Sequence, residues 1–253
     1  MTKKCIFPAL SILLISGFSA CASAADDSDQ DKAADALSGT AKLGFLYSKA
    51  SDTSSSLNSG LNLKYKPDEF SHEFKASTYY TNSSDDDDGV NKYALSYKFS
   101  YDLDPINALF IDNEYQHTQY QTYRHTYSVT AGLEHKIIDT KATQLSIGGG
   151  PGYRYTKRQA DDSSYPNQEE NDIIANGFIQ GASKITDNLS VGGDANVDYG
   201  ESNTTYTLGA NVTNKLVNNI ALVLDTQYIY NTDVSSDDSH DEIYSSVNLT
   251  YGF

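Results

Sequence analysis

Residues Thr122 to Ile137 read TYRHTYSVTAGLEHKI, and they separate cleanly by parity. The odd positions are Tyr123, His125, Tyr127, Val129, Ala131, Leu133, His135 and Ile137; the even ones are Thr122, Arg124, Thr126, Ser128, Thr130, Gly132, Glu134 and Lys136. A period of two puts alternate side chains on opposite faces of a strand, so this segment has one apolar face with polar tips and one polar, charged face. The same split recurs at Leu57/Leu61/Leu63/Tyr65, Tyr93/Leu95/Tyr97/Phe99/Tyr101, Leu145/Ile147/Tyr153/Tyr155, Leu189/Val191/Val197/Tyr199 and Ile220/Leu222/Leu224/Tyr228/Tyr230.

A soluble β-sandwich alternates too, with its apolar face turned inward. Strand length and the placement of Tyr decide against it. The alternating segments run well beyond the ~5–6 residues usual in soluble sheets and reach the ~9–11 that cross a bilayer with tilt. Tyr gathers at the ends of the apolar faces with Leu, Val and Ile between, as in the aromatic girdles of outer-membrane barrels. No run after Ala25 approaches the length of a transmembrane helix. The pattern predicts an all-β fold, a closed antiparallel transmembrane β-barrel. Its strands fall near 40–50, 54–66, 70–81, 90–102, 107–119, 122–136, 143–156, 171–184, 188–199, 203–215, 219–231 and 241–253. Twelve is the even number that fits, with ten as the runner-up. Tight turns at Pro67-Asp68, Asp104-Pro105, Asp139-Thr140, Asp187-Asn188 and Asn218-Asn219 alternate with longer Asp- and Ser-rich loops. Short periplasmic turns and long outer loops have this asymmetry, and it places both termini in the periplasm.

The first residues read as an address. Lys3 and Lys4 precede an apolar run from Ile6 to Ala20, and Ala22-Ser23-Ala24 has the small-residue pattern of a cleavage site. Residues 1–24 are therefore expected to be a cleaved signal peptide, residues 25–38 a flexible polar leader and residues 39–253 the barrel. An alternative reads Phe18-Ser19-Ala20-Cys21 as a lipoprotein signal, but Phe fits poorly at its first position. Both cysteines, Cys5 and Cys21, fall in this segment, leaving nothing for a disulfide framework or a catalytic thiol. The 253 residues carry a formal net charge of −16. Removing the signal leaves 16 basic against 34 acidic side chains, a net −18 that argues against a nucleic-acid partner. The chain ends on Val247, Leu249, Tyr251 and Phe253, an alternating strand like the signal read by barrel assembly machinery.

The sequence resembles the YdiY-like salt-induced outer-membrane protein family over roughly Gly39 to Phe253. The resemblance rests on Gly39-x-Ala41-x-Leu43-Gly44-Phe45 with Leu57-Asn58, on Lys92-Tyr93-Ala94-Leu95, on Leu109-Phe110 with Glu114-Tyr115, and on Tyr123-Arg124 before Ala131-Gly132. Gly150-Pro151-Gly152-Tyr153-Arg154-Tyr155, Thr186-Asp187-Asn188-Leu189 and the terminal Tyr251-x-Phe253 complete it. It departs in two outer loops, where Ala50-Ser51-Asp52-Thr53 replaces Ser-Gly-Asn-Thr and the last loop lacks prolines and a lysine. The resemblance implies an outer-membrane location and a link to salt stress, and carries no activity.

Few residues combine into chemistry. His125 and Ser128 lie three apart on opposite faces, and no serine nucleophile has an obvious histidine on its own face, so a lipid hydrolase is not expected; nor is any other enzyme or cofactor. His117 and His125 become cross-strand neighbours near the outer rim if the hairpin turns about Gln121. Two imidazoles without a carboxylate or thiolate companion make a weak metal site, and ring side chains beside lipopolysaccharide headgroups are the favoured reading. Asp85-Asp86-Asp87-Asp88-Gly89 fails calcium-loop spacing, because the twelfth position is Leu95 instead of Glu. With the other acidic loops it predicts a negative outer rim that holds divalent cations loosely. Gly148, Gly150 and Gly152 fall on the lumen face, where long side chains opposite fill the strip or the passage widens. The expected lumen charges are Lys75, Lys98, Asp112, Glu114, Arg124, Arg154, Asp194, Asp198 and Asp225, with Lys42, Lys64, Lys66 and Lys92 on the same face. Segregated charge favours a narrow pore for ions or small solutes with mild cation preference. Pairing of Lys98 with Asp112 or Glu114, and bridging of the rest, would favour a non-conducting surface barrel with cation-associating outer loops.

Overall fold

The structure is a computed structural model that describes residues 36–49, 53–83, 91–119, 121–160, 162, 165–236 and 238–253. The expected signal peptide, most of the leader and Asp85, Asp86, Asp87 and Asp88 lie outside the described residues. Within them stand twelve strands: β1 Leu37–Lys49, β2 Thr53–Tyr65, β3 Phe70–Ser83, β4 Asn91–Asp102, β5 Asn107–Thr118 and β6 Tyr123–Asp139. The rest are β7 Thr143–Arg158, β8 Glu169–Lys184, β9 Leu189–Tyr199, β10 Thr205–Val217, β11 Ile220–Asn231 and β12 Asp241–Gly252. Each pairs antiparallel with its sequence neighbours, and β1 pairs with β12 to close a twelve-stranded barrel. Strand β1 begins at Leu37, so the last two residues assigned to the leader are already wall.

Closure is made where Thr40 to Gly44 pair with Gly252 to Asn248. Below this, the backbone groups of Gly39 and Phe253 exchange hydrogen bonds of 2.8 and 2.9 Å. The Phe253 ring lies over Gly39 so closely that a Cβ there would collide with it. The terminal aromatic therefore covers the last rung of the seam, and Val247, Leu249, Tyr251 and Phe253 all stand on the outer face, exposed.

The outside of the barrel is its greasy side. Leu43, Leu133, Leu208 and Leu249 are each more than half exposed, and Ile111, Ile147, Val212 and Leu224 are exposed to a slightly lesser degree. At ~25 cal/mol per Å² such a surface is costly in water and at home in hydrocarbon. The inside is largely polar, and the buried aliphatic and Phe side chains among the described residues are few: Ala108, Phe110, Ile174 and Ile229, with Phe178 against Phe110. Burial is inverted relative to a soluble sandwich, which identifies the sheet as a transmembrane barrel.

Local chemistry sets the turns. In the β4–β5 turn the Asp104 carboxylate accepts from the backbone N–H groups of Ile106 and Asn107 at 2.9 and 2.8 Å and from Asn107 Nδ2 at 2.7 Å. Asn218 takes a positive φ of 25° in the two-residue β10–β11 turn, a region that Asn tolerates better than most residues. The β6–β7 pair carries the glycines. Gly132 and Gly150 face each other across strands so close that a Cβ on either would strike the opposite backbone. Gly148 makes room for Phe178, and Gly152 for Thr130 and Ile174. The bare strip is thus covered by side chains of the adjacent strands β6 and β8, so it is filled, as in the first of the two outcomes expected for it, but from beside and not from across the lumen.

Candidate functional site: a charged lumen

Two cavities occupy the barrel. The inner one, about 860 Å³, reaches the short-turn end and is lined by Lys64, Lys66, Lys75, Lys98, Asp112 and Asp194 among others. The outer one, about 370 Å³, lies beneath the long loops, with Lys92, Tyr123, Arg154, Asn203 and Glu242 in its wall. They share Lys75, Glu114, Gln116, Ser128, Asn196 and Asp198, which form a common neck at mid-height.

Alternation puts these side chains inside, and their pairing separates them into two classes. Lys98 donates to Glu134 at 2.8 Å and lies over the Phe110 and Phe178 rings at 4.8 and 4.9 Å. Its partner is therefore Glu134, and not Asp112 or Glu114 as in the rival non-conducting reading, with the Phe110 and Phe178 rings flanking the ammonium on its way to β6. Lys75 sits 3.3 Å from Glu73 on its own strand. With these ammoniums engaged, Asp112, Glu114, Asp194 and Asp198 have no ion-pair partner among the described residues. Asp112 accepts from Ser96 at 3.3 Å, and Asp198 from Asn176 and Asn196 at 2.7 and 3.4 Å.

Two expected lumen charges behave differently. Asp225 faces inward but pairs with Lys42 at 3.3 Å and accepts from Ser246 and Asn248, so its charge is spent in the wall beside the seam. Arg124 does not line the lumen. A β-bulge between Tyr123 and His125 inserts it as an extra residue, leaving it exposed and rotating Tyr123 into the outer cavity. Strict alternation cannot register an inserted residue, so both side chains take the face opposite to the one it predicts.

The outer end carries what the sequence reading missed. Arg158, 3% exposed at its side chain, ion-pairs with Asp162 at 3.4 Å, with Glu170 at 3.3 Å and with Asp233. The Tyr123 and Tyr165 rings flank its guanidinium at 5.2 and 5.4 Å. Asp162 also accepts from Ser235, and Thr122 donates to Asp238. Beside them Arg154 pairs with Asp172 at 3.0 Å and donates to the Asn203 carbonyl, while Ser202 caps the same carboxylate. These contacts tie the β7–β8, β9–β10 and β11–β12 loops to the barrel end. Arg154 is inward, as expected, but locked in this network.

His117 and His125 stand directly opposite each other on the outward face of β5 and β6, with their Nδ1 atoms 3.3 Å apart. Among the described residues no three His, Cys, Asp or Glu side chains gather as a metal cluster.

A transmembrane barrel with a charged interior holding two cavities is the class these observations define. The chain belongs to the protein family of unknown function DUF481, whose profile matches residues 41–253. No curated protein matches the chain in sequence. It is similar to the translocator domain of the autotransporter NalP from Neisseria meningitidis, 12% identical with a TM-score of 0.48, over 86% of each chain. It is similar also to the NanC porin, 11% identical with a TM-score of 0.49, over 84% of this chain and 97% of that one. A third similarity is to the KdgM porin in complex with disordered oligogalacturonate, 10% identical with a TM-score of 0.45, over 85% and 99%. Identities this low carry no ligand across.

Proposed function

We propose that this protein is a narrow outer-membrane pore for ions or small polar solutes, with a mild preference for cations. One observation carries the reading: the neck shared by the two cavities bears Glu114 and Asp198 without ion-pair partners among the described residues, while its ammonium, Lys75, pairs with Glu73 and the neighbouring Lys98 with Glu134. Unpaired charge in a confined lumen concentrates counter-ions and selects among permeants. Export by a cleaved signal peptide, assembly by the barrel machinery through the terminal strand and a lipopolysaccharide surround belong to the same proposal. So does loose association of divalent cations with the acidic outer loops, and the resemblance to the salt-induced family adds an expected link to salt stress.

The ion-paired outer end favours a second reading, a non-conducting surface barrel. Single-channel recording of refolded protein in a planar bilayer under a salt gradient separates the two. A pore gives discrete conductance steps and a reversal potential of cationic sign. Silence from protein that is demonstrably folded leaves the closed barrel. N-terminal sequencing of protein from the outer-membrane fraction tests the export reading, with Ala25 expected as the first residue.

A further inference from the structure

The outward face of β5 and β6 brings three metal-binding atoms together. His117 Nδ1 and His125 Nδ1 are 3.3 Å apart, and the Tyr115 hydroxyl lies 2.9 Å from His125 Nδ1. The geometry points to a transition-metal site here, formed by two imidazoles with the phenol oxygen as a third donor.

Bond lengths make the argument. Two nitrogens each ~2.0–2.1 Å from one ion, at a tetrahedral angle, stand ~3.3 Å apart. That is the separation the cross-strand register imposes on this pair. Without metal, one proton shared between the two Nδ1 atoms accounts for the contact. With metal, each ring carries its proton on Nε2, and the ion takes the place of the shared proton. The rings are positioned by their neighbours: Tyr93 stacks on His117 at a centroid distance of 4.7 Å, and Tyr115 lies against His125 at 6.2 Å. An imidazole-rich site with an oxygen donor and an open position suits Cu²⁺, Ni²⁺ and Zn²⁺, with Cu²⁺ bound most tightly.

The surrounding charge sets the affinity. Arg124, extruded by the β-bulge, bears electrostatically on both imidazoles and opposes a dication. Lys157, across from His125 on β7, is held by Glu169 at 2.8 Å. Arg124 therefore weakens the site without blocking it, which gives the proposal a test of unusual sign.

Titration of the refolded full barrel with Cu²⁺, read by electron paramagnetic resonance and by calorimetry, is the experiment. One equivalent should bind with nitrogen superhyperfine structure from two imidazoles, and Zn²⁺ should compete for it. His117→Gln or His125→Gln should weaken binding about tenfold or more, and Tyr115→Phe less. Arg124→Gln should tighten it several-fold. Carboxylate-bound ions on the acidic loops give no nitrogen coupling and wash off with salt. The proposal is overturned if the nitrogen-coordinated equivalent survives the double histidine variant, or if folded wild type shows none. Because the site faces away from the lumen, its failure leaves the pore reading untouched.

Discussion

Arg158 at the outer end and Lys75 at mid-height are both rare basic residues in a strongly acidic chain, and the barrel treats them in opposite ways. Arg158 is buried, takes three carboxylate partners and is flanked by two aromatic rings. Lys75 is half exposed inside the lumen and touches only Glu73, beside carboxylates left without a counter-ion. Charges in the first setting are locked to one another by direct ion pairs, so they hold loops in place, although one guanidinium among three carboxylates leaves the cluster net negative. Charges in the second are more solvated, and apart from the Lys75–Glu73 pair they include Asp112, Glu114, Asp194 and Asp198, which have no ion-pair partner among the described residues, so they contribute little to stability. On the proposed pore reading, loop anchoring and permeation fall at different heights of one wall.

The largest expected effect breaks the outer half of that contrast. Arg158→Met leaves Asp162, Glu170 and Asp233 without their shared cation, the first two in a nearly dry site and Asp233 at its half-exposed edge. Breaking a buried pair from one side costs about 3–5 kcal/mol, to be measured as a shift in reversible unfolding from lipid. A loss under 1 kcal/mol would mean that the cluster is hydrated and the two regions are not different in kind.

The wall itself provides the next effect, by comparing its two faces. Val129 stands on the outward face of β6, and an arginine there should cost ~2–4 kcal/mol at mid-bilayer. Asp194→Asn, in the lumen, should stay within about 0.5 kcal/mol of wild type, as substitutions on solvated surfaces do. Thr130, the inward neighbour of Val129, would not serve as the mild control. It is buried against Gly152, so a larger side chain there meets packed wall.

These comparisons show what was legible in the sequence. Period-two alternation reports which side of a sheet a residue takes, and it fixed twelve strands with bounds within a few residues of those observed. It reported Lys75, Asp112, Asp194 and Asp198 as inward for the same reason. Alternation carries no information on an inserted residue, so Arg124 and Tyr123 were assigned to each other's faces. Nor does it say which inward charges meet. Asp225 finds Lys42 across β12, and Lys98 finds Glu134 two strands away, through the curvature of the closed wall and not through sequence spacing. The Arg158 cluster joins β7, β8 and the β7–β8 and β11–β12 loops, and its partners are separated by up to 75 residues. A signal was present all the same: Arg154 and Arg158 are the two arginines of the β7 inner face, spaced by four.

A smaller effect sharpens the mid-height half of the comparison. Asp112→Asn with Asp194→Asn removes two of the uncompensated charges and should lower the cation preference roughly twofold, moving the reversal potential toward zero. Asp225→Asn should change it little, because Lys42 already neutralises that carboxylate. The wild-type preference should also shrink between 0.1 M and 1 M salt, as the screening length falls from ~10 Å to ~3 Å. A preference that survives both changes has another source than these carboxylates.

The smallest effect lies at the turn end, where neither lipid nor lumen contributes. Hydrogen bonds from the Asn107 side chain and from the Ile106 and Asn107 backbone hold the Asp104 carboxyl below its usual pKa. The group is fully exposed, so the effect is modest, but its sign is set. A carboxyl with a depressed folded-state pKa gives stability that is present above the unfolded value of ~3.9 and is lost as pH falls through the folded value. Unfolding measured across that acid window should show wild type losing stability that Asp104→Asn never had, and the two curves should converge at the acid end. Parallel curves would place the acid sensitivity of the barrel in its lumen carboxylates and not in this turn. That result would reverse the division of labour between turn and lumen, since the lumen charges would then contribute measurably to stability.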